Sequence, residues 1–171
     1  MKSIILIGMP GAGKTTVGKI LSRQMGLPFI DTDSVIEERE GKPLQRIFDE
    51  RGLENFKNFE GEVVASLDFS GHIIATGGSV IYSDKAMRKL KSLGTLVFIH
   101  VTPGELIRRV DNTETRGMVK RPGMSLKDLY GERDPLYRAE ADCIIEGSNT
   151  TPESMADEII SFIKSGKCDS I

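Results

Sequence analysis

Apolar residues in this chain gather into short blocks, separated by stretches in which they recur every three to four positions. The blocks at 3–7, 28–30, 72–76, 95–101 and 142–145 have the length of strands, while 14–25, 83–93, 125–139 and 152–164 have a helical period. Fully apolar strands alternating with amphipathic helices predict an α/β fold with a five-stranded parallel sheet covered by helices. In 14–25, Val17, Ile20, Leu21 and Met25 share one face and Gly26 supplies the stop. The stretch 34–69 reads as mostly helical, broken near Gly41-Lys42-Pro43 and again near Gly52. Thr102-Pro103-Gly104-Glu105 combines an N-cap, a first-turn proline and a capping-box glutamate. Residues 111–124 are polar, carry Gly117, Pro122 and Gly123, lack any period and so predict a mobile loop, while 166–171 read as a frayed end. No linker interrupts the chain, so 1–171 is expected to be one domain: a core of 1–31, 70–110 and 140–165, a helical segment at 32–69 and the loop at about 111–124.

Composition narrows the partners. A formal net charge of −2 gives no basic excess of the kind that binds nucleic acid or an anionic membrane. The early apolar run 4–7 is too short for a signal peptide core or a membrane span, which points to the cytoplasm. Cys143 and Cys168 have no metal-ligand spacing and make no disulfide framework; Cys143 reads as a buried strand residue and Cys168 as part of a loose tail. His72 and His100 fall in strands and read as packing residues, without a metal or catalytic role. Met118 and Met124 read as gap-fillers, and Glu37, Glu38, Arg39 and Glu40 as a solvated helix face. The default state is a monomer.

The chemistry enters with Gly8-Met9-Pro10-Gly11-Ala12-Gly13-Lys14-Thr15, which fits G-x-x-x-x-G-K-[ST] between a predicted strand and a predicted helix. Glycines let the backbone curl so that successive N–H groups point at phosphate oxygens. The candidate ATP-binding residues are Gly11, Ala12, Gly13, Lys14, Thr15 and Thr16. Lys14 supplies charge to the β- and γ-phosphates, the Thr15 hydroxyl ligates Mg²⁺, and the helix N-terminus adds its dipole. ATP as co-substrate and Mg²⁺ as cofactor follow from this loop.

Asp31-Thr32-Asp33 lies at the carboxyl edge of the second strand, where ligands of open α/β sheets bind. One carboxylate suits the orientation of waters on Mg²⁺, and the other suits acceptance of a proton from an attacking hydroxyl. Alternatively, Asp33 or Ser34 only caps the next helix.

With these residues the chain resembles the shikimate kinase family over nearly its whole length. The resemblance is carried by the phosphate loop, Phe29-Ile30-Asp31-Thr32-Asp33, Ile47-Phe48, Phe56 to Glu60, Ala75-Thr76-Gly77-Gly78-Ser79, Arg121-Pro122 and Arg133-Asp134-Pro135-Leu136-Tyr137-Arg138. It implies the three-layer P-loop kinase fold, with 32–69 as substrate-binding helices and 111–124 as a lid. It implies that Asp33 binds the acceptor and helps deprotonate its hydroxyl, and that Asp31 holds Mg²⁺ through water. Gly77 and Gly78 would face the substrate ring, Arg133 would pair with its carboxylate, and Glu60 would hold the neighbouring basic residue. Arg121 would swing in with the lid to meet the transferred phosphoryl group. Arg109 would stack on adenine, under a loop at 148–152.

Three positions depart from the family pattern. Lys57 stands after Phe56 where the family carries arginine, and a point charge replaces a planar fork. Ser79 replaces a third glycine beside the expected substrate. The lid is longer before Arg121 and shorter after it, so Arg116, Lys120 and Arg121 compete for its catalytic role. Arg108 and Arg109 also compete, with one expected to face solvent. The expected activity is ATP-dependent phosphorylation of shikimate, giving shikimate 3-phosphate and ADP for aromatic amino-acid biosynthesis. The alternatives are the same chemistry on another hydroxy acid such as a gluconate-like sugar acid, an inactive nucleotide-binding regulatory protein, and, more remotely, a nucleoside monophosphate kinase.

Overall fold

A computed structural model describes residues 2–111 and 118–165. Arg116, Gly117, Cys168 and the expected frayed end lie outside the described residues. Five strands, β1 (Ser3–Ile7), β2 (Phe29–Asp31), β3 (Ile73–Ala75), β4 (Gly94–His100) and β5 (Cys143–Glu146), pair in parallel in the order β2-β3-β1-β4-β5. Ile5 of β1 lies level with Ile74 of β3 and Leu96 of β4, all three fully buried. The sheet is flanked by α1 (Lys14–Met25), α2 (Thr32–Glu40), α3 (Leu44–Arg51), α4 (Leu53–Ala65), α5 (Asp84–Leu93), α6 (Pro103–Asp111), α7 (Leu126–Glu140) and α8 (Pro152–Lys164). α1 packs on α8, and α4 on α5. β1 lies between β3 and β4, so the chain reverses its winding at the carboxyl end of β1, where a crevice opens.

The stretch read as one broken helical region resolves into α2, α3 and α4. Gly41 ends α2 at φ 64°, Pro43 stands before α3 and Gly52 separates α3 from α4 at φ 73°. A left-handed residue ends each helix at little cost only because it lacks a Cβ. The charges read as a solvated face instead tie these helices together. Glu37 accepts from the Leu44 N–H at 2.7 Å, Glu40 pairs with Arg51 at 2.9 Å, and Arg39 donates to Ser66 Oγ at 3.0 Å.

Two features had no periodic signal. A 3₁₀ turn occupies Gly78–Tyr82, too short to show a period. In the described part of the loop, Val119 is buried with Ile36, Ile47, Phe56 and Val63 in a small apolar cluster separate from the main core. His100 also differs from expectation: it bonds Glu146 at 2.7 Å and the Tyr130 hydroxyl at 2.8 Å, acidic and phenolic partners that meet it only across the fold. Cys143 is half-buried.

Candidate active site

The loop between β1 and α1 wraps around Lys14. Gly8 cannot carry a side chain, since a Cβ would lie 2.7 Å from the Ile99 carbonyl, and Gly13 takes φ 96° to start α1. Lys14 Nζ folds back to donate to the carbonyls of Gly8 and Met9, each at 2.9 Å. Burial pushes its pKa down to about 8, against the pull of Asp33 and Asp31. An anion arriving at the loop restores the charge that burial disfavours, so the site is built to take phosphate. Ala12 is buried, while Gly11, Thr15 and Thr16 face solvent.

The open question about the acidic turn is answered by Asp31. Its Oδ1 accepts the Asp33 N–H at 3.1 Å and so caps α2, while its Oδ2 accepts from Thr15 Oγ1 at 2.8 Å. The capping residue is therefore Asp31, not Asp33 or Ser34. A hydroxyl and a carboxylate in contact beside a phosphate loop are hard oxygen donors of the type Mg²⁺ selects, so Thr15 and Asp31 fit that ion.

Asp33, in the first turn of α2, shares the base of the crevice with Glu60 of α4. The two carboxylates flank Gly77: an added Cβ there would collide with Glu60 Oε1 and lie 2.7 Å from Asp33 Oδ1. Gly77 has φ −58°, so close approach, and no special backbone angle, demands glycine. Its N–H donates to Thr32 Oγ1 at 3.0 Å. Glu60 is 1% exposed and accepts a short hydrogen bond from Ser79 Oγ. Burial lifts its pKa to about 7, with Asp33 adding to the rise and Ser79, Arg133 and Lys14 opposing it. Of the basic residues around it, Glu60 interacts with Arg133 and Lys14.

Arg133 of α7 is also 1% exposed. Its Nε donates to the Tyr82 hydroxyl at 3.2 Å, one terminal nitrogen donates to the Val119 carbonyl, and the other has no hydrogen-bond partner among the described residues. That unpartnered nitrogen borders Gly78, where an added Cβ would lie 2.9 Å from it and 2.9 Å from Pro10 Cδ. Tyr137 braces the same turn, donating to the Gly78 carbonyl at 2.6 Å. A buried guanidinium with a spare donor beside a glycine turn suits a carboxylate.

Lys57 lies nearby with Nζ 4.4 Å over the Tyr82 ring and 3.3 Å from Glu54. Arg121 is largely exposed and pairs with Glu132, which also accepts from the Tyr82 hydroxyl. Lys120 donates to the Met124 carbonyl at 2.7 Å. Lys57, Tyr82, Val119, Lys120, Arg121 and Glu132 line one cleft. Arg133 is thus no surface ion pair with Glu132 or Glu140; Glu132 holds Arg121, and Glu140 pairs with Lys91.

On the far side of the phosphate loop, Arg109 donates to the Gly147 carbonyl at 2.8 Å and approaches that of Ala12 at 3.5 Å. Arg108 points outward to Glu105 with a side chain 72% exposed, so Arg109 is the one that meets the loop. Ser148 accepts the Thr102 N–H at 2.9 Å, anchoring the turn that follows Gly147. Tyr82, Glu132, Tyr137 and Val119 were not singled out as site residues. Tyr137 carried a signal as part of the Arg133 to Arg138 motif, and Glu132 as the residue next to Arg133.

Comparison with known proteins agrees on one family. The family profile described as shikimate kinase matches residues 10–164. Shikimate kinase of Paracidovorax citrulli is 40% identical over 148 residues, covering 84% of this chain and 81% of the relative. That of Dechloromonas aromatica is 36% identical, covering 93% and 88%. The structure of shikimate kinase from Acinetobacter baumannii in complex with shikimate superposes with a TM-score of 0.87 at 31% identity, over 98% of this chain and 95% of that one. A gluconokinase from Sinorhizobium meliloti shares the fold alone, with a TM-score of 0.56 at 21% identity.

Proposed function

The chain belongs to the shikimate kinase family, and on that premise we propose that it transfers the γ-phosphoryl group of ATP to a hydroxyl of shikimate, giving shikimate 3-phosphate and ADP. The observation that carries the reading is the unpartnered nitrogen of buried Arg133 beside Gly78, in the same crevice as Asp33 and Lys14. That crevice suits an acceptor with both a carboxylate and a hydroxyl.

In this reading the spare Arg133 donor takes the carboxylate, and the Gly77-Gly78 backbone bears on the ring. Asp33 accepts the proton of the attacking hydroxyl. As the oxygen–phosphorus bond to the acceptor forms, the bond from the γ-phosphorus to its bridging oxygen breaks and the electron pair leaves with ADP. Lys14 exchanges its two carbonyl partners for β- and γ-phosphate oxygens. Thr15 and Asp31 would hold Mg²⁺, which would supply neutralisation of phosphate charge. Arg121 leaves Glu132 and meets the spreading charge on the phosphoryl group, Arg109 lies against the base, and Lys57 and Ser79 shape the acceptor pocket. Residues 32–69 act as the acceptor-binding segment and 111–124 as the lid of a single catalytic unit. The proposed enzyme acts as a monomer in the cytoplasm; no helix among the described residues is long and apolar enough to cross a membrane.

Steady-state kinetics of two variants test the roles. Asp33→Asn is expected to lower kcat by about 100-fold or more, in the range of general-base loss. Arg133→Lys is expected to raise the shikimate KM by about tenfold or more with a smaller change in kcat. An unchanged shikimate KM in Arg133→Lys contradicts the carboxylate assignment.

A further inference from the structure

Both cations of the acceptor pocket depart from an ordinary arrangement, and both departures meet at one side chain. A lysine at 57 is a flexible point charge, and fixing it costs more rotamer freedom per hydrogen bond than fixing an arginine fork. Here its ammonium rests 4.4 Å from the centre of the Tyr82 ring, and Arg133 Cζ lies 5.1 Å from the same centre. The ring's negative face therefore attracts two like charges that would otherwise repel.

The hydroxyl of Tyr82 adds direction. A phenol has one proton, and Glu132 takes it in a short hydrogen bond. The oxygen's lone pair is then left for Arg133 Nε at 3.2 Å. With Nε held by Tyr82 and one terminal nitrogen held by Val119, the planar guanidinium has its remaining nitrogen fixed at Gly78. The protonation states agree: burial and Glu132 raise the Tyr82 pKa, and the Tyr82 bond lowers that of Glu132, so phenol and carboxylate keep these roles at neutral pH.

We propose that Tyr82 is a positioning residue for acceptor specificity: through its ring and hydroxyl it orients Arg133 and Lys57 as a joint carboxylate receptor, taking over the ordering that a second arginine fork would supply. The proposal rests on the shikimate reading above and deepens it. Tyr82 acts through the two cations and forms no bond in the reaction.

The test is a kinetic cycle on the full chain with Mg-ATP and shikimate, comparing the parent, Tyr82→Phe, Arg133→Lys and the double variant, with Tyr82→Leu alongside. Tyr82→Phe keeps the ring and loses the hydroxyl; it is expected to raise the shikimate KM by about fivefold, the net weight of one ordinary hydrogen bond, with kcat and the ATP KM within about twofold. Tyr82→Leu also removes the ring and is expected to raise it by about twentyfold. In the Arg133→Lys background the Tyr82→Phe effect is expected to fall to about twofold or less, because the oriented group is gone. A shikimate KM unmoved by Tyr82→Phe, an equal loss in kcat and in both KM values, or the same fivefold effect without Arg133 overturns the positioning role while leaving the kinase reading intact. Absence of shikimate turnover in the parent protein overturns both.

Discussion

Glu60 is the residue whose charge the fold constrains most tightly after Lys14. It lies 1% exposed between Ser79, Asp33 and Arg133, and its pKa stands at about 7 against an ordinary 4.5. A raised carboxyl pKa means that the folded protein keeps a proton the unfolded chain releases, so stability is greatest below about 4.5 and falls as pH rises towards 7. At 1.36 kcal/mol per unit the loss is of order 3 kcal/mol at most. Glu60→Gln has no such proton to lose. Denaturant unfolding from pH 5 to pH 8 is therefore expected to show the parent losing stability relative to the variant by about 1–3 kcal/mol; parallel curves contradict the assignment. Lys14 carries the opposite burden, a cation pushed down to about 8 that phosphate relieves. The Lys14 charge is thus costly until an anion arrives, in keeping with a site that binds phosphate.

At the level of elements, the turn after β3 does more than connect. Gly77 and Gly78 bring backbone against Glu60, Asp33, Arg133 and Pro10, groups drawn from α4, α2, α7 and the phosphate loop. Gly77→Ala puts a methyl into two carboxylates with an undemanding backbone angle, so its cost is steric. It is expected to destabilise the protein by about 1–3 kcal/mol, as overpacking does, and to cut turnover by about tenfold or more through displacement of Asp33. Thermal unfolding beside kcat checks this, and an unchanged kcat contradicts the close approach. The strands and long helices were legible in the sequence because each carries its own period and caps. The phosphate loop was legible because its glycines and lysine are contiguous. What was illegible forms across the fold: the 3₁₀ turn that presents Tyr82, the Glu132 acceptance from Tyr82 and Arg121, the burial of Val119 among α2, α3 and α4, and the partners of His100. The acidic turn was half legible, since Asp31, Asp33 and Ser34 are all short polar residues able to cap, and only the folded turn shows that Asp31 does.

For the molecule as a whole, the order β2-β3-β1-β4-β5 sets the loops after β1, β2 and β3 side by side at one sheet edge. Lys14, Asp33 and Arg133 therefore meet in one crevice, where the proposed function brings nucleotide and acceptor together, while Arg109 meets Gly147 on the side built from β4, β5 and α6. The fold alone is shared with a gluconokinase, so the architecture does not choose the acceptor. In the proposed reading, the choice falls to the buried guanidinium, the paired carboxylates and the lysine on Tyr82. The most direct test of that account is ADP release measured with Mg-ATP and shikimate, beside gluconate, other sugar acids and nucleoside monophosphates. Saturable turnover with shikimate, and background rates with the others, is the predicted result; background rates with shikimate and turnover with another acid would contradict it.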